Sequence, residues 1–228
     1  MVLSGIVGST AYGLARPGSD IDRLGVFAVP TEALHGLHRP QESHVTHEPD
    51  RALHEAAKWA RLALRANPTV LELVWLTDEL YDVRTALGDE LIGIRSAFLS
   101  ASRVRAAYLG YATQQFKRLY DRRGSSSSAD VHRRTAKHAR HLRRLCHQGY
   151  HLYATGRLDI RVDDPDSYFA FGEEVARDAM AALPMLQDFE ARFDRTVSPL
   201  PDRPDEAPVE AWLLRVRAQH CTREKADA

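Results

Sequence analysis

Apolar and polar positions alternate over short stretches at the start of the chain and over long helical spacings after its middle. Residues 2 to 8 and 21 to 29 are apolar and β-branched, which predicts two strands of one sheet. Between them lie three turn-formers, Gly13, Pro17 and Gly18. An irregular, His-rich stretch from His35 to His47 leads into a third strand around Ser43 to His47. From Arg51 to Leu64 the spacing becomes helical, with Leu53, Ala56, Ala57, Ala60 and Leu64 three or four apart. Asn67-Pro68 stops that helix, because a residue before proline is pushed out of helical angles. Thr69 can cap a short helix that runs through Glu72 to Trp75.

Beyond about residue 98 the pattern is helical throughout. Residues 101 to 122 predict a long amphipathic helix with Val104, Tyr108, Tyr111, Phe116 and Leu119 inward. Gly124 and Ser125 to Ser128 read as a linker, and 130 to 155 as a second long helix stopped by Gly156. A third helix is expected from Gly172 to about Leu183 and another to about Arg195. An extended Pro-rich segment, 198 to 208, precedes a last helix over 209 to 218. The fold class is therefore α+β: a small mixed sheet in residues 1–98, followed by a helical half, 99–228.

Composition narrows the class only a little. The 228 residues are 44% hydrophobic and 27% charged, with formal net charge zero. No apolar run approaches the roughly 20 residues of a membrane span, and no charged n-region precedes one, so the cytoplasm is the expected compartment. Cys146 and Cys221 stand far apart without metal-ligand spacing. Charge is uneven: 103 to 144 is rich in Arg and Lys, while 163 to 210 leans acidic. A local basic groove is compatible with that distribution, a wholly basic surface is not.

The chemistry concentrates at Gly8-Ser9 and, ten residues on, at Asp20-Ile21-Asp22. Side chains two apart on a strand share a face about 6.6 Å apart. Asp20 and Asp22 are thus expected to converge, with Ile21 pointing into the core. Two such carboxylates repel unless a cation lies between them, and oxygen-only ligands suit Mg²⁺ or Mn²⁺. The Gly-Ser turn offers N–H groups and a hydroxyl to a phosphate.

The string GSTAYGLARPGSDID resembles the signature of the DNA polymerase β-like nucleotidyltransferase superfamily. It is most similar to the branch that includes the RNA-repair-associated polymerase-β-like proteins. Two later blocks, ALRANPTVLEL (63–73) and KHARHLRRL (137–145), resemble the same branch. The resemblance implies a metal-dependent nucleotidyltransferase with three carboxylates, which transfers an NMP from an NTP (ATP among the candidates) to a hydroxyl with release of pyrophosphate, using two Mg²⁺ or Mn²⁺ ions. Gly8, Ser9 and Ser19 would then lie on the nucleotide. Many superfamily members carry a helix before the Gly-Ser strand, whereas Met1 here stands almost on it, which leaves the completeness of the N-terminus open.

In the branch that the chain resembles, the third carboxylate is an Asp shortly before the helix that leads to Asn-Pro. Counting back from Asn67-Pro68, the resemblance implies Asp50 for that place, with Glu48 as its rival. Asp50 also fits the N-cap of a helix starting at Arg51. Lys137, His141 and Arg144, three or four apart, share a helix face and match the family's basic pattern. They suit a triphosphate or an RNA backbone, or simply a solvated face. Arg23 is either a phosphate contact or an outward-facing residue. The resemblance favours an RNA 3′ end as acceptor and RNA-repair proteins as partners. Competing readings are nucleotidylation of a protein or small molecule, and a non-catalytic nucleotide-binding or antitoxin-like module.

Overall fold

A computed structural model describes residues 1–121 and 129–221; the expected linker at 124–128 lies outside them. The chain divides into two compact units. The first comprises Met1–Arg65, Thr69–Phe98 and the segment from Pro204 onward, and the second Ala66–Pro68 and Leu99–Arg203. The helix after Pro204 thus packs with the first unit, whereas the sequence reading places it in the helical half.

In the first unit a five-stranded sheet has the order β3-β4-β2-β1-β5. Its strands are β1 (Leu3–Val7), β2 (Asp22–Phe27), β3 (Ser43–His47), β4 (Asp50–Glu55) and β5 (Tyr81–Arg84). β2 and β4 run parallel, and the other pairs are antiparallel. Around the sheet lie α1 (Gly8–Tyr12), α2 (Ala56–Ala63), α3 (Pro68–Leu71) and α4 (Ala86–Gly93). The core collects Leu3, Leu24, Val26, Trp59, Leu71, Leu73, Leu91 and Phe98, all buried.

One expected helix is shorter than its pattern. Residues 50 to 55 form a strand, and the helix begins only at Ala56, where the Glu55 carboxylate accepts from the Ala57 N–H at 2.8 Å. Leu53 fits a helical stripe and a strand equally well. Pairing with β2 decides, because it supplies hydrogen bonds that no local pattern reveals. β5 and α4, with Thr85 capping the latter, carry no clear pattern and were not expected.

The second unit contains α5 (Ala101–Asp121), α6 (Ala129–Thr155), α7 (Pro165–Arg177) and α8 (Leu183–Arg195). The buried stripe of α5 is Val104, Tyr108, Ala112, Gln115 and Leu119, so Tyr111 and Phe116 lie off it, with Tyr111 exposed. α5 packs closely on α6: a Cβ on Gly149 would fall 2.5 Å from Cβ of Tyr108. α7 starts seven residues before the expected Gly172. The signals there are Asp164, whose carboxylate accepts from the Ser167 N–H, and Pro165 in the first turn.

The closing helix, α9 (Glu206–Gln219), is capped by Asp205. It belongs to the first unit through Trp212, whose indole N–H donates to the Leu87 carbonyl at 2.9 Å. Arg217 donates to the buried Glu55 at 2.5 Å. No helix among the described residues is long and apolar enough to cross a membrane.

Candidate active site

β1 ends at Val7, and Gly8 turns the chain into α1 with φ +69°, a conformation that favours glycine. Val7 pairs with Asp22, which brings the Asp22 carboxylate onto the glycine. A Cβ on Gly8 would lie 1.9 Å from Asp22 Oδ2. Glycine is thus required twice, for its angle and for the space it leaves to a carboxylate. Ser9 is the second residue of the same helix, half-buried.

α1 is anchored from below. The Tyr12 hydroxyl donates to Glu72 Oε2 at 2.6 Å, and Glu72 is 1% exposed. The block around Asn67-Pro68 therefore meets the Gly-Ser block through a buried carboxylate. Sequence reading did not single out Glu72. The available signal was one acid inside the apolar run Val70 to Trp75, since a buried carboxylate needs a partner.

The carboxylate pair is arranged differently from the expected strand. β2 begins at Asp22, and Asp20 and Ile21 precede it, both exposed. Ile21 is 48% exposed and does not point into the core. The cause is the end of β1: beyond Val7 the neighbouring chain has turned into α1, so residues before Asp22 have no strand there to pair with. Ser19 shapes this loop. Its hydroxyl accepts from the Arg16 N–H at 2.9 Å, and its own N–H donates to the Arg16 carbonyl.

Asp50 is the first residue of β4. The parallel register pairs Arg23 with Arg51, and one step back it sets Asp50 abreast of Asp22. Abreast residues on neighbouring strands show the same face, with strands about 4.8 Å apart. Asp50 caps no helix, since the helix that follows is capped by Glu55. Glu48 is exposed in the two-residue turn between β3 and β4. Asp22 and Asp50 thus form a pair on one sheet face, with Asp20 on the exposed segment leading into it. Among the described residues no three acidic, His or Cys side chains are already gathered as a metal site. The donor chemistry nevertheless fits a hard divalent cation: carboxylate oxygens only, beside a glycine that leaves Asp22 room.

Arg23 is committed to another partner. Its Nε donates to Asp82 Oδ2 of β5 at 3.0 Å, which makes it a brace across β1.

In the second unit the basic residues of α6 separate by depth. Lys137 is exposed. Arg144 is 2% exposed, donating to Gln148 Oε1 at 2.6 Å and, from its other terminal nitrogen, to His141 Nδ1 at 3.1 Å. Gln148 in turn donates to the carbonyls of Asp159 and Ile160. Burial first, and the Arg144 guanidinium second, hold the His141 imidazole far below its usual range, down to about 3; His138, Arg118 and Lys137 push the same way. The ring is therefore neutral at physiological pH and accepts from Arg144. The helical spacing is as expected, but only Lys137 presents its charge to solvent, while Arg144 serves the interior of the helical unit.

A family model described as RNA repair pathway DNA polymerase beta family matches residues 1–164. A comparison with curated proteins finds no match.

Proposed function

Because the chain belongs to the RNA repair pathway DNA polymerase beta family, we propose that it transfers an NMP from an NTP to the 3′ hydroxyl of an RNA. The observation that carries this reading is the Asp22–Asp50 pair abreast on β2 and β4, with Gly8 bared against Asp22. In the reaction the acceptor oxygen forms a bond to the α-phosphorus and the bond from that phosphorus to the bridging oxygen breaks. Pyrophosphate leaves, and Asp50 takes the hydroxyl proton. Asp20, Asp22 and Asp50 would hold two Mg²⁺ or Mn²⁺ ions. When bound, these neutralise phosphate charge and make the acceptor hydroxyl more acidic. Gly8 and Ser9 meet the phosphates through backbone N–H and hydroxyl, and Ser19 holds the Asp20 loop in place.

Such transfer gives the protein little covalent work, so positioning and charge neutralisation carry the rate. In the second unit, the exposed ammonium of Lys137 suits a triphosphate or an RNA backbone. A charge-assisted contact of that kind is worth roughly 1.5–3 kcal/mol, so Lys137→Ala weakens NTP binding by about 10-fold or more. Titration with Ca²⁺ in place of Mg²⁺ measures this without turnover.

The direct test incubates the pure protein with each α-labelled NTP, Mg²⁺ or Mn²⁺, and RNA, DNA, protein or no acceptor. Label on RNA, lost in Asp20→Asn and in Asp22→Asn with the fold intact, is the expected result. Near-wild-type turnover of Asp22→Asn at saturating metal would remove the site. Label on protein alone would redirect the acceptor.

A further inference from the structure

The row that carries Asp22 and Asp50 continues one strand further. His47 pairs with Asp50 across β3 and β4, so His47, Asp50, Asp22 and Val7 stand abreast on four neighbouring strands and show one face. At about 4.8 Å per strand, His47 lies on the order of 10 Å from Asp22, on the side of Asp50. β3 is the edge of the sheet, and His47 is exposed on it. Two residues back on the same face, Val45 is 57% exposed and pairs with the small Ala52. An imidazole and a valine methyl surface thus line the sheet rim beside the carboxylate assigned to the acceptor hydroxyl. His44 and Thr46 fall on the opposite face, where the His44 ring packs against Phe27 with centroids 5.0 Å apart.

We infer that this rim holds the terminal nucleotide of the acceptor strand, with His47 on its ribose hydroxyls and Val45 under its base. The inference rests on the proposed nucleotidyl transfer and deepens it by locating the acceptor. The chemistry favours a ribose end. An imidazole offers one donor and one acceptor on separate ring nitrogens, which match a vicinal diol, and the 2′ hydroxyl is what lets a protein tell RNA from DNA. Val45 beside it would meet the face of a base and not its edge, so the contact is sequence-tolerant.

The test compares wild type, His47→Ala, His47→Gln and His44→Ala on two RNA acceptors. One ends in a 2′,3′-diol, the other in a 2′-deoxy terminal nucleotide. Wild type is expected to prefer the diol. His47→Ala should raise KM for the diol acceptor by about 3- to 10-fold, the weight of one or two neutral hydrogen bonds. It should also abolish the preference and leave NTP affinity with Ca²⁺ unchanged. His47→Gln, which keeps a donor and an acceptor, should recover part of the loss, and His44→Ala should match wild type. Unchanged acceptor KM and preference in His47→Ala would overturn the inference while transfer to RNA stands. A wild-type protein that labels diol and deoxy ends alike would do the same. Failure of wild type to label any RNA would instead sink the proposed function, and this inference with it.

Discussion

Gly8 meets two demands at once, a left-handed backbone and a carboxylate seated where a side chain would begin. Gly8→Ala is therefore expected to cost stability, about 1 kcal/mol or more from the backbone angle alone. It should also displace Asp22 and lower turnover nearly as far as Asp22→Asn does. Melting temperature and kcat on the same preparation check both halves. Asp50 behaves in the opposite way. It caps no helix, so Asp50→Ala should leave the melting temperature near wild type while kcat falls far more than NTP affinity. A stability loss with unchanged kcat would return Asp50 to a structural role. Arg144→Ala should separate from Lys137→Ala in the same manner. Removing the buried guanidinium strands Gln148 and His141, and is expected to cost about 2–4 kcal/mol in denaturant unfolding.

Gly149 decides how closely α5 and α6 approach, since any Cβ there overlaps the Tyr108 ring and its Cβ. Helix propensity alone would make Gly149→Ala stabilising by about 1 kcal/mol. Overpacking opposes it with about 1–3 kcal/mol, so net destabilisation in a urea melt is expected. A gain in stability would mean that the helices separate freely. The α5–α6 pair was legible in the sequence because both helices are long and periodic. β4 was not: Asp50 to Glu55 is too short for its period to show, and its parallel partner β2 lies 28 residues earlier. The carboxylates divide along the same line. Gly8 and Asp22 announce themselves by spacing, but the exposure of Ile21 follows from where β1 ends, which no local pattern states. Likewise nothing in residues 206–219 tells that Trp212 reaches Leu87 or that Arg217 reaches Glu55.

At the scale of the whole molecule, acid should weaken the fold through His141. Its folded-state value of about 3 lies below the ordinary 6.5, so between those two pH values the unfolded chain takes up a proton that the folded chain refuses. Stability then falls as pH drops through this window, by up to about 1.4 kcal/mol per unit, or on the order of 2 kcal/mol at pH 5. His147, whose ring is only partly desolvated, is lowered to about 4, first by that desolvation and then by Arg143 and Arg192, and acts in the same sense but more weakly. His141→Gln keeps an acceptor for Arg144 without a titrating ring. Urea midpoints at pH 7.5 and pH 5 should differ less in this variant than in wild type, and equal losses would exonerate the ring.

The first unit is interrupted, resuming at Pro204 after the second has run its course. During synthesis at about 5–20 residues per second, Glu55 leaves the ribosome many seconds before Arg217 can reach it. Over that interval the nascent sheet has a buried acid without its cation and a helix α4 without Trp212 against it. A chaperone that shields this half-built sheet should raise the yield of native protein. Transposing α9 to the N-terminus, so that it emerges first, should make that help unnecessary.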